Sequence, residues 1–249
     1  MRQSCNLKSF SIKRNRNYNL SLEITKLTRR EFKLSTKMSI IIAIFSFAIG
    51  IAIFAFAYIS MKQHIYIYSL NDQILSWLVS HRSPILTTLT RSITNVVGPV
   101  TFIVVTAAIV GIWWFIKREV WRPLLLIMSM AIAALTSFLL KLAIMDARPA
   151  QQNMVPTFEI DYSFPSGHTL SVIVFLLVLG YLLYSRRYSL GRFFFWIVAT
   201  ILGTGVIAYT RLYLGYHWLT DIVASIGLGF VIFAVVIFLD LIVTRRSNN

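Results

Sequence analysis

Six long apolar runs divide this chain, and most of its polar residues lie between them. The runs cover about residues 39–59, 97–116, 123–145, 169–184, 193–212 and 221–243. A transmembrane α-helix needs roughly 20 apolar residues to cross the hydrocarbon core of a bilayer. The fourth run, which has 16 residues, needs some from its flanks. No small-residue cleavage site follows the first run, which indicates an anchor and not a removable signal peptide. The pattern predicts an all-α fold, a bundle of six transmembrane helices.

The polar segments at the two ends of the chain are predicted to be tails of a single membrane domain. Residues 1–38 form a basic tail, residues 39–245 the six-span domain, and residues 246–249 a short C-terminal tail. Leucine and isoleucine recur at roughly helical spacing within residues 20–37. That spacing fits a helix lying on the anionic inner leaflet of the membrane, and it fits a solvated tail equally well.

The longest predicted loop, residues 60–96, has apolar positions of its own. We expect Asn71 to cap a short helix that carries four apolar residues between positions 74 and 79, and Ser83-Pro84 resembles a second helix start. Two short amphipathic helices over one mouth of the bundle suit lateral entry of a ligand from the bilayer. They suit simple packing at the membrane interface equally well.

The distribution of charge along the chain predicts its orientation in a membrane. Charged residues make up 13% of the chain, against about 25% in soluble domains, and the formal net charge of +15 by itself suggests a nucleic-acid partner. Of the 24 Lys and Arg residues, however, 18 lie before the first apolar run, after the last one and in loops 117–122 and 185–192, and four lie in loops 60–96 and 146–168. Because cytoplasmic loops carry the excess of Lys and Arg, both termini are predicted to be cytoplasmic, and no nucleic-acid binding is expected. The single cysteine, Cys5, excludes an intramolecular disulfide and a Cys-rich metal site.

Ionisable residues gather at the ends of four of the predicted spans. The first cluster closes the third span, the second opens the fourth, and the last lies between the fifth and sixth spans. With the predicted orientation, all of them lie at the outer face of the membrane. Ionisable groups within spans are costly and usually functional, so the pattern predicts a site there. Its ionisable residues are Lys141, Asp146, Arg148, His168, Arg211, His217 and Asp221.

The residue types at this predicted site suit a phosphate group. Lys141, Arg148 and Arg211 supply three cations, a combination that fits a multiply charged anion. Ser166 and Gly167 stand where a helix is predicted to begin. A helix start offers free backbone N–H groups and a favourable dipole, and glycine permits a close approach.

Two histidines and an aspartate of the site suggest chemistry on that phosphate. His217 and Asp221 are four residues apart, so they share a face if the stretch is helical. Asp221 would then hold the imidazole in one tautomer and leave its other nitrogen free to attack. His168 would be a second imidazole, able to protonate a leaving oxygen. Two histidines also fit zinc, but the surrounding cations would repel a metal and carboxylate ligands are scarce, so no metal or other cofactor is expected.

Three sequence motifs within residues 141–221 resemble the signatures of the type 2 phosphatidic acid phosphatase superfamily, in its membrane lipid phosphatase branch. They are Lys141-x6-Arg148-Pro149, Pro165-Ser166-Gly167-His168 and Arg211-x5-His217-x3-Asp221, in the order and with the spacings of the family. The one departure is Thr210, where the family usually has serine, and both residues carry a hydroxyl group.

The resemblance implies a role for each residue of the three motifs. His217 is implied to be the nucleophile that forms a phosphohistidine, with Asp221 as its partner and His168 as the acid for the leaving group. The remaining residues, Lys141, Arg148, Ser166, Gly167 and Arg211, are implied to bind the phosphate, without a metal. Two roles fit Asp146 equally well, pairing with Arg148 and solvation in its loop. Glu159 and Asp161 are expected to be solvated loop residues.

We therefore expect an integral-membrane lipid phosphatase that takes its substrate from the bilayer and acts at the outer face of a plasma membrane. The short loops of the chain are compatible with a bacterial membrane protein. Undecaprenyl diphosphate is the favoured substrate, with phosphatidylglycerophosphate and phosphatidic acid close behind. A phosphotransferase using the same histidine and a transporter of lipid or anions are the alternatives. Vanadium haloperoxidases share the motifs, but they are soluble, and six spans argue against that chemistry.

Overall fold

The computed structural model describes residues 34–156, 159–185 and 189–246. This part of the chain contains eight α-helices, two 3₁₀ turns and no β-strand, which confirms the predicted all-α class. In chain order the helices are α1 (Thr36–Gln63), α2 (Leu70–Ser80), α3 (Pro84–Val96), α4 (Pro99–Lys117), α5 (Trp121–Ile144), α6 (Gly167–Tyr184), α7 (Leu190–Tyr213) and α8 (Leu219–Arg246).

Five of these helices, α1 and α5 to α8, are long and apolar enough to cross a membrane. Helix α4, which covers the second predicted span, meets the same test together with α3, and the two helices are bent by 49°. The bend falls between Val96 and Thr101. Pro99 takes the first position of α4, a position that does not need the N–H that proline lacks. The described residues thus hold five spans, or six if the bent pair is one span. A total of six membrane spans with both termini in the cytoplasm stays a prediction.

The first helix begins earlier than its apolar run predicts. Ser35 caps α1 by accepting a hydrogen bond from the backbone N–H of Met38 at 3.1 Å, and this capping favours a start at Thr36 instead of residue 39. Residues 1–33, with most of the predicted surface helix over 20–37, lie outside the described residues, as do residues 247–249.

Helices α6 and α8 lie at the centre of the bundle, because half or more of their positions are buried, against a third or less on α1, α5 and α7. Helix α1 packs against α8 through small residues. A Cβ atom on Gly50 of α1 would lie 2.7 Å from the carbonyl oxygen of Gly227 in α8, so the two backbones are in contact. Small residues allow such close packing between membrane helices.

The two ends of the bundle differ in their polar contacts. At one end, Arg122 of α5 donates to the hydroxyl of Ser185 after α6 at 2.7 Å, and Trp121 donates to Asp240 of α8 at 3.0 Å. The opposite end, hereafter the site end, holds the last residues of α5 and α7, the first residues of α6 and α8, and the connections between them. All three sequence motifs lie at this site end.

Helices α2 and α3 are the two short helices predicted in loop 60–96, and they pack over the site end. Ser83 caps α3 as predicted, with Pro84 in the first turn. The prediction for Asn71 is wrong, because Asn71 lies inside α2 and Ser69 holds the cap position. The Asn71 amide instead donates to the hydroxyl of Thr220 at 3.2 Å and accepts from its backbone N–H at 3.3 Å. These contacts fasten α2 to the start of α8.

Candidate active site

A tight turn between α7 and α8 carries His217. Gly215 in this turn has a φ of 76°, and a Cβ atom there would lie 2.3 Å from the carbonyl oxygen of Asn153. Glycine fits both constraints, since it has no Cβ and readily adopts positive φ. The guanidinium group of Arg82 fixes the same turn by donating to the carbonyl oxygens of Tyr213, at 2.8 and 3.0 Å, and of Asn153, at 2.7 Å. The turn is therefore fixed by the close approach of Asn153 and by the hydrogen bonds of Arg82.

The His217 side chain is oriented by Asp221. Its Nδ1 atom lies 3.1 Å from Oδ2 of Asp221, and both side chains are buried. The same Oδ2 atom accepts hydrogen bonds from the backbone N–H of Trp218 at 2.9 Å and from the hydroxyl of Ser163. Helix α8 begins at Leu219, so His217 precedes the helix, yet the predicted contact between the two side chains forms. A carboxylate on Nδ1 selects the tautomer with its proton on Nδ1 and leaves Nε2 with a lone pair.

The free nitrogen of His217 faces a cation. Nη1 of Arg148 lies 3.3 Å from Nε2, and because a guanidinium group only donates, Nε2 is the acceptor in this contact. Burial and then the nearby charges of Arg148 and Arg211 hold the pKa of His217 well below its usual value. The imidazole is therefore neutral near pH 7, which is the state that a nucleophile requires.

The three predicted cations converge on this imidazole, and each is held by a neighbour. Arg211, almost fully buried, stacks over the ring of Tyr216 with its guanidinium carbon 4.7 Å from the ring centre, and its Nη1 donates to the hydroxyl of Thr94 at 3.0 Å. Arg148 donates to the carbonyl oxygen of Tyr216, and Lys141 to that of Tyr162, both at 2.5 Å. The guanidinium and ammonium groups are thus fixed in direction, as the recognition of phosphate oxygens requires.

Glu159 and Asp161 differ from the expectation of solvated loop residues. Glu159 bridges Arg148, at 2.7 Å, and Arg211, while Asp161 bridges Arg148 and Lys141, the latter at 2.6 Å. Burial raises the pKa of each carboxyl group, but the cations outweigh it, so both pKa values lie below the usual range. Asp161 stays half exposed. The signal in the sequence was the shortage of acidic residues near Lys141, Arg148 and Arg211. The candidates for pairing with these cations all lie in loop 146–168, as Asp146, Glu159 and Asp161.

The start of α6 brings in the second motif. Ser166 is fully buried; its backbone N–H donates to the carbonyl oxygen of Asp221 at 3.4 Å, and its hydroxyl lies 3.1 Å from that of Thr169. The N–H groups predicted to be free here therefore do not include that of Ser166. Gly167 begins the helix, and His168 lies close enough to interact electrostatically with Arg211 and Glu159. All eight predicted site residues thus lie together at the site end, and their roles stay predictions.

Sequence reasoning missed the neutral residues that position the site. Ser163, fully buried, donates from its hydroxyl to Asp221 and from its backbone N–H to the carbonyl oxygen of Asp146 at 2.9 Å. Asp146 itself is half-buried, and burial raises the pKa of its carboxyl group. A serine in an irregular segment has no periodicity or motif to mark it. Among the described residues, no three or more His, Cys, Asp and Glu side chains form a group suited to a metal ion.

Known proteins resemble this chain in sequence and in fold. Residues 122–241, which contain all three motifs, match the family model of the PAP2 superfamily. Phosphatidylglycerophosphatase B of Bacillus subtilis (strain 168) is 28% identical over 172 residues, which are 68% of this chain and 83% of the relative. Lipid A 4'-phosphatase of Porphyromonas gingivalis is 30% identical over 71 residues, 28% of this chain and 27% of that protein.

The fold is similar to that of a solved membrane protein. The crystal structure of the transmembrane PAP2 type phosphatidylglycerolphosphate phosphatase from Bacillus subtilis matches with a TM-score of 0.68 and 23% identity, over 77% of this chain and 96% of the other. The motifs, the matched family and the apolar helices agree with one another. Residues 122–241 therefore belong to the PAP2 superfamily, and the chain is a multi-pass membrane phosphatase of the PAP2 type.

Proposed function

We propose that this phosphatase removes the terminal phosphate of an anionic membrane lipid through a phosphohistidine on His217. The observation that carries the proposal is the orientation of one neutral imidazole: Asp221 holds Nδ1 at 3.1 Å, and Nε2 faces Arg148 at 3.3 Å, while Arg211 and Lys141 are close enough to act on the same imidazole electrostatically. A site that only bound or transported an anion would need the cations but not an oriented nucleophile. The geometry therefore favours covalent catalysis over transport.

The reaction consists of two displacements at phosphorus. In the first, Nε2 of His217 attacks phosphorus while Lys141, Arg148 and Arg211 bind the phosphoryl oxygens, and the bond from phosphorus to the lipid oxygen breaks. That oxygen takes its proton from His168, acting in its protonated form as general acid, a contribution that is typically about 10²–10⁴-fold. In the second, water attacks the phosphohistidine, His168 accepts the proton of the water, and inorganic phosphate leaves with His217 restored.

Replacing the nucleophile tests this mechanism. We expect His217→Ala to abolish phosphate release from a purified lipid in detergent micelles, because no neighbouring group takes over covalent catalysis. His81→Ala is the matched control, since His81 is an exposed histidine at the end of α2 that stacks on Trp77. Phosphate release in the absence of any other acceptor also separates hydrolysis from phosphotransfer. Turnover by the His217 variant at the rate of the control would rule out the phosphohistidine.

For the lipid, we favour phosphatidylglycerophosphate over undecaprenyl diphosphate. The relative that this chain covers over most of its length is named for phosphatidylglycerophosphate. The prenyl and acyl tails of these lipids contribute little to the choice of substrate, because an apolar surface distinguishes them by only about 0.8 kcal/mol per methylene group. Measuring kcat/KM for these two lipids and phosphatidic acid in matched micelles tests the choice. A prenyl diphosphate that ranks first by about tenfold, or 1.4 kcal/mol, would reverse it.

We further propose that the site end faces the outside of the cell. Four of the Lys and Arg residues lie in loops 60–96 and 146–168, which belong to the site end, against 18 before the first apolar run, after the last one and in loops 117–122 and 185–192. The positive-inside rule then places both termini in the cytoplasm. A reporter that works only outside the cytoplasm should be active when it is inserted within residues 150–160 and inactive when it is fused after Asn249. Activity of the C-terminal fusion would contradict the orientation.

A further inference from the structure

Helices α2 and α3 contact the segment that carries His217 at both of its ends. At its start, Arg82, in the connection between α2 and α3, donates from Nε and Nη2 to the carbonyl oxygen of Tyr213 at 3.0 and 2.8 Å. At its end, Asn71 of α2 donates to the hydroxyl of Thr220 at 3.2 Å and accepts from the backbone N–H of the same residue at 3.3 Å. The residues between Tyr213 and Thr220, hereafter the His217 segment, are therefore anchored to the helix pair on either side of the imidazole.

Tyr213, the last residue of α7, is held by its side chain as well as by its backbone. Its phenol oxygen accepts from the backbone N–H of Ser83 at 3.0 Å and lies 3.2 Å from the hydroxyl of Thr87 in α3. The guanidinium carbon of Arg82 lies 5.9 Å from the centre of the ring, and Tyr213 is almost fully buried. The connection between α2 and α3 thus fixes the residue from which the His217 segment starts.

The apolar faces of α2 and α3 cover the same segment. Leu78 of α2 belongs to one buried cluster with Leu214 and Tyr216 of the His217 segment, and Ile74 of α2 and Leu86 of α3 pack against that cluster. Two of the apolar positions predicted for the first short helix are therefore used to support the turn between α7 and α8.

A shift of either anchor would reach the proposed nucleophile within a few bonds, because only residues 214–218 separate α7 from α8. A guanidinium group presents its N–H groups in a rigid planar fork, so the hydrogen bonds of Arg82 fix direction as well as distance. Attack requires Nε2 of His217 to lie about 3–3.5 Å from phosphorus, and a misplacement of about 1 Å can cost about 10²-fold in rate. A side chain that touches neither the phosphate nor the imidazole can therefore control turnover.

We infer that Arg82 and Asn71 are positioning residues for catalysis, through which the helix pair α2 and α3 holds Nε2 of His217 in the place from which it attacks. This role rests on the proposed function, because it concerns the support of the same nucleophile. It differs from both roles that the sequence suggested for these helices, which were lateral entry of a ligand and packing at the membrane interface.

Turnover by variants of the two anchors tests this role. The kcat and KM per folded enzyme are measured in detergent micelles for Arg82→Gln, Arg82→Lys and Asn71→Ala, with the best of the three lipids named above. We expect Arg82→Gln to lower kcat by at least about tenfold, because its side chain lacks the fork that sets the position of the turn. Arg82→Lys should keep more activity, since an ammonium group still donates to the carbonyl oxygens.

The matched control is Arg118→Gln, which should keep the kcat of the wild type. Arg118 is an exposed arginine between α4 and α5, at the end of the bundle opposite the site end, and its guanidinium group stacks on Trp114 and Phe115. Its replacement removes the same charge without a contact to the His217 segment.

The pH profile separates positioning from a general loss of stability. Burial and the charge of Arg148 hold the pKa of His217 low, and an imidazole displaced from Arg148 would be protonated at a higher pH. In Arg82→Gln, kcat/KM should therefore begin to fall on the acid side at a higher pH than in the wild type, and Arg82→Lys should return the profile toward that of the wild type. Partial unfolding would lower the amount of active enzyme without moving this profile.

An unchanged kcat in Arg82→Gln, or a lowered kcat with the pH profile of the wild type, would show that Arg82 does not position His217. Should Arg82→Gln fail to fold, Asn71→Ala decides by the same two measurements, because it removes the anchor at the other end of the segment. Turnover by His217→Ala would refute the proposed function. An inactive His217→Ala beside a fully active Arg82→Gln would refute the positioning role alone.

Discussion

Replacing Gly215 with alanine is expected to lower kcat strongly. The left-handed conformation of residue 215 costs an L-amino acid roughly 1–2 kcal/mol. The new Cβ would lie 2.3 Å from the carbonyl oxygen of Asn153, where ordinary contacts begin near 3.4 Å. The turn or that carbonyl group must therefore move by about 1 Å, and His217 is only two residues further along the chain. Misplacing a catalytic group by about 1 Å can cost about 10²-fold in rate.

A second glycine supplies the control for this experiment. Gly205 lies within α7, and a Cβ atom there meets no atom within 4 Å. Gly205→Ala should keep the activity of the wild type and raise its thermal stability, because alanine is favoured over glycine in a helix by about 1 kcal/mol. Both variants are compared by kcat and KM in detergent micelles and by thermal unfolding. If Gly215→Ala has the kcat of the wild type, the turn does not position His217 in the way argued from its geometry.

Three further predictions concern the chemistry of His217. Asp221→Asn should lower kcat by up to about 10⁴-fold, as happens when the carboxylate that orients a catalytic histidine is lost, and normal turnover would contradict the role of this contact. Because burial and Arg148 lower the pKa of His217, the imidazole should stay neutral as the pH falls below about 6.5. After correction for ionisation of the substrate, kcat/KM should fall on the acid side only below that pH. A fall that begins above that pH would contradict the neutral state assigned to His217. Activity should survive EDTA, because Asp221 occupies Nδ1 and Arg148 faces Nε2; a loss that zinc restores would contradict this.

The spans and the charged site residues could be predicted from the sequence because each leaves a local signal. A helix across lipid requires about 20 apolar residues, so α1 and α5 to α8 are visible as runs. Ionisable residues are rare in such runs and therefore conspicuous at their ends. The start of α1 was missed because a single capping contact of Ser35 decides it, and such a contact lies outside the hydrophobic pattern.

The contacts that position the site could not be predicted because they join distant parts of the chain. Asn71 and Thr220 are 149 residues apart, and Ser163 and Asp221 are 58 apart. Neutral polar side chains at such separations follow no period, and a serine or asparagine in a loop fits a cap, a turn or solvent equally well. The charge of Glu159 was evident from its type, but its pairing with Arg211 depends on how segment 159–163 folds over the bundle. Local sequence patterns predict the helices, whereas these side-chain contacts depend on how the helices assemble into the bundle.

The backbone contact between Gly50 and Gly227 has a consequence for how the enzyme is made. Helix α1 is synthesised before α8, so its small-residue face stays exposed to lipid until the last helix enters the membrane. The same last helix carries Asp221, and the turn before it carries His217. The molecule therefore gains the partner of its proposed nucleophile and this backbone contact in one late step of biogenesis. A chain interrupted before α8 would lack Asp221 and the Gly227 contact, and under the proposed mechanism it would be inactive.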